Sequence, residues 1–276
     1  MPEREVSRAV EASSQRIPPF RMAENIWFVG GRAVSCHVID TGDGLIMIDT
    51  GYPFMAEQIL ASMREVGLDP ADLRILLHSH GHYDHIGNTR RFRALTGARA
   101  YISRIDNDIC NGRLDLSWAE ELGYPRLEPF DCDVLLDDGD IVALGNTRIR
   151  CRLAPGHTAG TLALFVDTLS HDRAVTCAMH GGVGTNSMAR DFLERRGLSL
   201  DCREQFREGL HRLAEEKVDL VLGNHPDQND TEGKLARVRA GEADACFDPG
   251  EWRRFLAACE ARLDRMLAEE AAEPKQ

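Results

Sequence analysis

Short apolar runs cut by glycines fill the first fifty positions of the chain. NIWFVGG (25–31), VSCHVID (34–40) and LIMIDTG (45–51) are rich in β-branched and aromatic residues, and their spacing predicts a β-meander. Pro53 then opens a helix, because Ile59, Leu60, Met63 and Val66 fall on one face of a 3.6-residue period. LRILLHS (73–79) returns to strand, NTRRFRALTG (88–97) is a short helix closed by Gly97, and ARAYIS (98–103) is strand again. This β-α-β alternation implies parallel pairing in part of the sheet. Residues 104–134, with Trp118, Tyr124 and Pro125, lose the pattern and read either as a lid or binding loop or as a pair of packed helices.

The second half repeats the order of strands followed by helices. DIVALG, TRIRCRLAPG, TLALFVD and AVTCAMH form a β-rich block. DCREQFREGLHRLAEE (201–216) is an amphipathic helix with Phe206, Leu210 and Leu213 on its buried stripe, and Asp201 with Glu204 suggests a capping box. VDLVLGNHP is a final strand ending at His225, and a last helix runs from Asp248-Pro249 to about residue 268. Residues 1–19 predict a loose, flexible arm ending in Pro18-Pro19, residues 20–276 a single domain, and the tail beyond about 268 a frayed end. The layout is that of two β-sheets packed together with helices outside.

At 276 residues and 43% hydrophobic, the chain has ample core for one large domain. Its net charge of −12 repels phosphate backbones, so nucleic acid is excluded as a partner and a small-molecule substrate is expected. No apolar run approaches the ~18 residues of a membrane span, and the polar N-terminus lacks the apolar stretch of a secretory leader; the expectation is a cytoplasmic protein with no membrane contact. The eight cysteines form no CxxC pair, which excludes a disulfide scaffold and a structural zinc knuckle. The oligomeric state is left open.

The chemistry concentrates in HSHGHYDH (78–85), with four histidines and one aspartate in eight positions at the end of an apolar strand. Neutral imidazoles and a carboxylate are good zinc ligands. His80, His82, Asp84 and His85 outnumber what one ion can take from so short a loop, so two metals are expected, completed by ligands from elsewhere. His157 in APGHTAG and His225 in VLGNHPD repeat the same grammar: apolar strand, then glycine or proline beside a histidine.

HGHYDH carries H-x-H-x-D-H, the signature of the metallo-β-lactamase fold, and the chain resembles that family over nearly its whole length. The opening strands with their D-T-G turn at Asp49, the G-H-T-x-G segment and the closing N-H-P segment are similar to the third subclass of zinc β-lactamases. The resemblance implies an α/β (α+β) four-layer αβ/βα sandwich with two mixed β-sheets face to face. It also implies two Zn2+ per chain, with iron or manganese as the alternatives. His80, His82 and His157 would bind the first ion, and Asp84, His85 and His225 the second. Asp49 is either an orienting residue behind the ligands or a plain turn aspartate, and His78 a supporting or packing residue. His180 and Asn186 are candidate substrate contacts, whereas His37, His171 and His211 read as structural or exposed. The bridging aspartate of many relatives is missing from VTCAMHGGVG, where Cys177 is a minor candidate ligand.

The implied reaction is opening of a cyclic amide or ester, β-lactam- or lactone-like, by a metal-bound hydroxide, with Asp84 orienting it. The alternatives are an iron-dependent oxidoreductase or dioxygenase on this fold and a hydrolase of another small ester or thioester. His82 speaks against the diiron reductases, which carry glutamate there, and the missing aspartate against the dioxygenases.

Overall fold

The computed structural model describes residues 16–170 and 173–272, so His171 lies outside the described residues. The meander forms as β1 (Phe20–Ala23), β2 (Ile26–Phe28), β3 (His37–Asp40) and β4 (Leu45–Ile48), paired antiparallel. Helix α1 (Ala56–Glu65) crosses to β5 (Leu73–Leu77), and α2 (Tyr83–Ile86) and α3 (Thr89–Thr96) lead to β6 (Arg99–Ser103). After α4 (Asn107–Cys110) and a long run of turns, β7 (Val134–Leu136) closes this sheet, with β4 to β7 parallel. The second sheet holds β8 (Ile141–Leu144), β9 (Thr147–Leu153), β10 (Leu162–Ser170), β11 (Arg173–His180) and β12 (Leu220–Val221), antiparallel except for β11 beside β12. Helices α5 (Arg190–Arg196), α6 (Cys202–Leu213), α7 (Thr231–Arg239) and α8 (Glu251–Ala272) complete the chain.

The period-2 alternation of strand side chains sorts residues into layers. Ile46 and Ile48 of β4 point inward and meet Leu164 and Val166 of β10 in the core between the sheets. Met47, one position out of phase, packs under Ile59, Leu60 and Met63 of α1. Phe165, likewise out of phase, packs under Phe206 of α6 and Trp252 of α8. The result is the four-layer α/β/β/α sandwich that the sequence implied. Since β9, β11 and β12 run in one direction, their C-terminal ends share one rim. The end of β5 joins that rim, because the N–H of Leu162 donates to the carbonyl of Ser79 at 2.8 Å.

Several expected boundaries move for local reasons. Ile17 is fully buried and Arg16 bridges Gly31, so 16–19 belong to the packed chain rather than to a loose arm; residues 1–15 lie outside the described residues. The last strand is two residues long, because the carbonyl of Val221 is taken by the side chains of Asn229 (2.8 Å) and Lys234 (3.1 Å). The capping box at Asp201 does not form: its own backbone is helical (φ −59°, ψ −22°) and its side chain caps nothing. The last helix starts at Glu251, after a turn in which Asp248 accepts from the N–H of Gly250 at 2.9 Å, and runs to Ala272. Residues 104–134 are not a helix pair. Beyond α4 they are turns, with Trp118 at φ 64°.

Trp252 is 1% exposed and donates its indole N–H to the carbonyl of Leu213 at 2.9 Å. Trp252→Ala removes the largest side chain of the outer core and is expected to cost about 3–5 kcal/mol, read as a fall in the urea unfolding midpoint; Trp252→Phe should cost less.

Candidate metal centre

β4 ends at Asp49, which takes the left-handed conformation (φ 58°) that aspartate tolerates better than most residues. This turn aims its fully buried carboxylate across to the loop after β5. Oδ1 accepts the backbone N–H of Ser79 at 2.8 Å, and Oδ2 accepts the Ser79 hydroxyl at 2.7 Å and the Nδ1–H of His85 at 2.8 Å. The Ser79 oxygen in turn accepts Nδ1–H of His80 at 3.1 Å. Asp49 thus does more than close a turn: its carboxylate holds the His85 ring directly and the His80 ring through Ser79.

The same device recurs at two more histidines. His157 donates Nδ1–H to the carbonyl of Gly184 at 2.7 Å, and His225 donates Nδ1–H to the carbonyl of Ala33 at 2.9 Å. In all four rings the Nδ1 proton is anchored behind, so Nε2 faces forward and is the nitrogen that carries the lone pair when the ring is neutral, the form a cation needs. Nε2 of His80 and of His85 are buried and have no hydrogen-bond partner.

The ligand-type atoms fall into two groups, each lying within 4.8 Å of one another: His80, His82 and His157, and Asp84, His85 and His225. The two groups adjoin. The His80 ring is 4.6 Å from His82, 4.9 Å from His157 and 4.2 Å from His85. Asp84 Oδ2 is 3.2 Å from Nε2 of His85 and 3.5 Å from Nε2 of His225.

Burial and crowding by the other imidazoles hold His80 and His82 well below the ordinary histidine range, and burial lowers His157 to about 4. Burial lowers His225 as well. These rings are neutral at pH 7, as metal ligation requires. For His85 burial opposes the charge, but the carboxylates of Asp84 and Asp49 outweigh it and raise the group to about 10. Asp84 is held well below the usual carboxylate range: its burial is outweighed by His85, His225 and His82. The orphaned Nε2 atoms of His80 and His85, one in each group, fit a pair of divalent cations, since buried polar atoms without partners are costly and rare.

Other residues singled out in the sequence fall elsewhere. His78 is buried and donates Nε2–H to Thr89 at 3.1 Å, behind the ligand loop. Asn186 borders the cleft, but His180 does not: it is 1% exposed, packs edge-on against Phe206 at 5.8 Å and accepts the N–H of Gly182 at 3.3 Å. His37 is buried against Phe28, and His211 is exposed beside Glu260. Cys177 sits between the sheets with burial pushing its thiol up to about 12, away from both groups.

A cleft of about 280 Å3 opens over both groups and reaches Tyr52, Asn186, Gln228 and Arg262. An adjoining chamber of about 240 Å3 is walled by Ile105, Ile109, Leu116, Phe192, Leu193 and Leu198. His82, Trp118 and His157 border both. Among the described residues no helix is long and apolar enough to cross a membrane.

Comparison with known proteins agrees with this geometry. The N-acyl homoserine lactonase of Bacillus thuringiensis is 27% identical over 158 residues, 49% of this chain and 58% of the lactonase. This chain spans about half the length of the curated relatives it matches. In fold it is similar to BJP-1, a subclass B3 metallo-β-lactamase of Bradyrhizobium japonicum (TM-score 0.84, 23% identity, covering 96% of this chain and 98% of that one). It is similar also to the HARLDQ-motif metallo-β-lactamase of Cronobacter sakazakii (TM-score 0.80, 26% identity, 96% and 100%). The sequence profile of the metallo-β-lactamase superfamily matches residues 29–168, and the chain belongs to that superfamily.

Proposed function

We propose that this chain is a zinc-dependent hydrolase that opens a small cyclic ester or amide bearing an apolar substituent. The observation that carries the reading is the pair of adjoining three-residue groups facing one cleft, with an apolar chamber at its side. His80, His82 and His157 would hold one ion and Asp84, His85 and His225 the other. Imidazoles with a single carboxylate suit zinc better than magnesium or calcium. When bound, such a pair supplies Lewis acidity toward a carbonyl oxygen and makes water acidic enough to lose a proton near neutral pH.

The protein's own groups then have defined tasks. Asp84, with Oδ2 turned toward His85 and His225, takes the proton of the attacking water and returns it to the leaving oxygen or nitrogen. Among the described residues, the serine hydroxyls beside the ligand histidines are already committed. The Ser79 and Ser187 hydroxyls are bound to Asp49 and to the carbonyl of His157. Cys202, in the chamber wall, has its thiol pushed up by burial. Arg262 and Asn186 offer the cleft end of the substrate a cation and an amide, while the chamber takes the apolar substituent. The named lactonase and the Cronobacter β-lactamase support a lactone or lactam ring as the reacting group.

Zinc-loaded protein is expected to hydrolyse acylated lactones, with kcat/KM rising about fourfold per methylene of the acyl chain, since each buried CH2 contributes about 0.8 kcal/mol. The rise should stop when the chamber is full. Trp118→Ala, which merges cleft and chamber, should flatten it. No turnover of lactone or β-lactam panels by protein of confirmed metal content would reject the reaction class.

Asp49→Asn turns an N–H2 group toward donors that need an acceptor, and is expected to lower metal affinity or turnover about 10–100-fold. Retention of wild-type zinc affinity and turnover would remove Asp49 from its orienting role. Chelator should abolish activity and lower the melting temperature, and zinc should restore both.

A further inference from the structure

Asp106 stands 21 residues beyond the H-x-H-x-D-H motif, between β6 and α4, and belongs to neither ligand group. It is 1% exposed, and every bond its carboxylate makes goes to a ligand loop. Oδ2 accepts the N–H of Gly81 at 2.8 Å, between His80 and His82. Oδ2 also accepts the hydroxyl of Thr158 at 2.7 Å, next to His157, and Oδ1 accepts the N–H of Gly160 at 2.8 Å. The aspartate is itself pinned: its N–H donates to Ser103 Oγ at 3.1 Å, and its carbonyl accepts the N–H of Ile109 at 3.0 Å. The fit leaves no slack, because a Cβ on Gly160 would stand 2.4 Å from Asp106 Oδ1.

These partners come from two distant segments, residues 80–82 of the first sheet's loop and residues 157–160 of the second. They are the segments that supply His80, His82 and His157. Asp84, His85 and His225 receive nothing from Asp106. Asp49 anchors His85 directly and His80 through Ser79, and it reaches neither His82 nor His157, whose ring is held by the carbonyl of Gly184. No donor or acceptor on the His82 ring is fixed by a hydrogen bond among the described residues, so its placement depends on the backbone at Gly81.

We infer that Asp106 is a positioning residue that clamps the two ligand loops together and sets the metal affinity of the His80–His82–His157 group selectively. The inference rests on the metal-binding reading above. A carboxylate suits the place because all three partners donate to it: an asparagine would present an N–H2 group to one of them, and an alanine would leave the N–H groups of Gly81 and Gly160 without this acceptor and the Thr158 hydroxyl with Thr161 alone.

The test is zinc titration of the full-length apo-protein against a chromophoric chelator, with no activity readout. His157→Ala and His225→Ala serve as references for loss of the first and the second group. Asp106→Asn is expected to weaken one site about 10–100-fold and to reproduce the His157→Ala pattern. Thr158→Val keeps the side-chain shape and removes one donor, so it should weaken the same site by less, and Thr158→Ser should restore it. If Asp106→Asn does not fold, the two Thr158 variants decide the matter. Wild-type affinity at both sites in Thr158→Val, or equal weakening of both sites in any folded variant, overturns selective clamping. Wild-type protein that takes up no zinc overturns the metal-binding reading itself, and the clamp with it.

Discussion

The Asp49 carboxylate is the contact on which the rest of the centre depends. It sits at zero exposure with three donors on two oxygens, one of them the ring of His85 and two from Ser79, which passes the restraint on to His80. A buried carboxylate is tolerable only where donors or a positive charge satisfy it. Here the donors are the side chains and backbone that must be placed, so satisfying Asp49 and orienting the histidines are one event. The left-handed backbone at residue 49 is the geometric cost, and the N–H of Asp49, bound to the carbonyl of Leu77 at 3.0 Å, keeps the turn locked to the strand it serves.

Everything forward of that contact is less well satisfied. Imidazole nitrogens face one another without donors, and Trp118 holds a positive φ that a bulky residue rarely adopts. The layers behind the site show the opposite character, with inward and outward strand positions sorted between the inter-sheet core and the outer cores. A local conflict framed by consistent packing is what a functional site imposes on a fold. The sandwich tolerates it because the ligand loops are short continuations of β5, β9 and β12, whose strands are held on both faces.

How much of this the sequence disclosed follows from how local each signal is. His80, His82, Asp84 and His85 lie within six residues, so their chemistry is visible without any fold. His157 and His225 are single residues, recognisable only because each follows an apolar strand and adjoins glycine or proline. Asp106 and Arg262 carry no such mark. One is an aspartate after a strand and the other an arginine on the charged side of a helix, and only tertiary placement separates them from dozens of similar residues. The same limit explains His180, whose strand-end position resembled that of the ligands. It differs in lying on β11, between β10 and β12, where its ring meets Phe206 instead of the cleft. The strand at Val221 ends early because the side chains of Asn229 and Lys234 take its carbonyl, and the helix after Asp201 starts where its sequence predicts but without the capping box, because the Asp201 backbone is already helical.

Charge closes the account of what this cleft can admit. The chain as a whole is acidic at −12, and carboxylates surround the centre: Asp84 at its front, Asp49 and Asp106 behind the ligand loops, and Asp227 on the cleft wall. Two divalent ions would bring four positive charges into this ring of carboxylates, a local patch of concentrated positive charge in an acidic protein, with Arg262 lining the same cleft. The leucine, isoleucine and aromatic walls of the neighbouring chamber keep water sparse, so the patch is screened less there than at an open surface. On the proposed reading, an electron-rich carbonyl would be drawn to one side of Trp118 and an apolar chain to the other. A ligand with both has a single favourable orientation, whereas one that is polar at both ends must leave a polar group among leucines without partners. Discrimination on that reading would come from what the chamber refuses as much as from what bound cations attract.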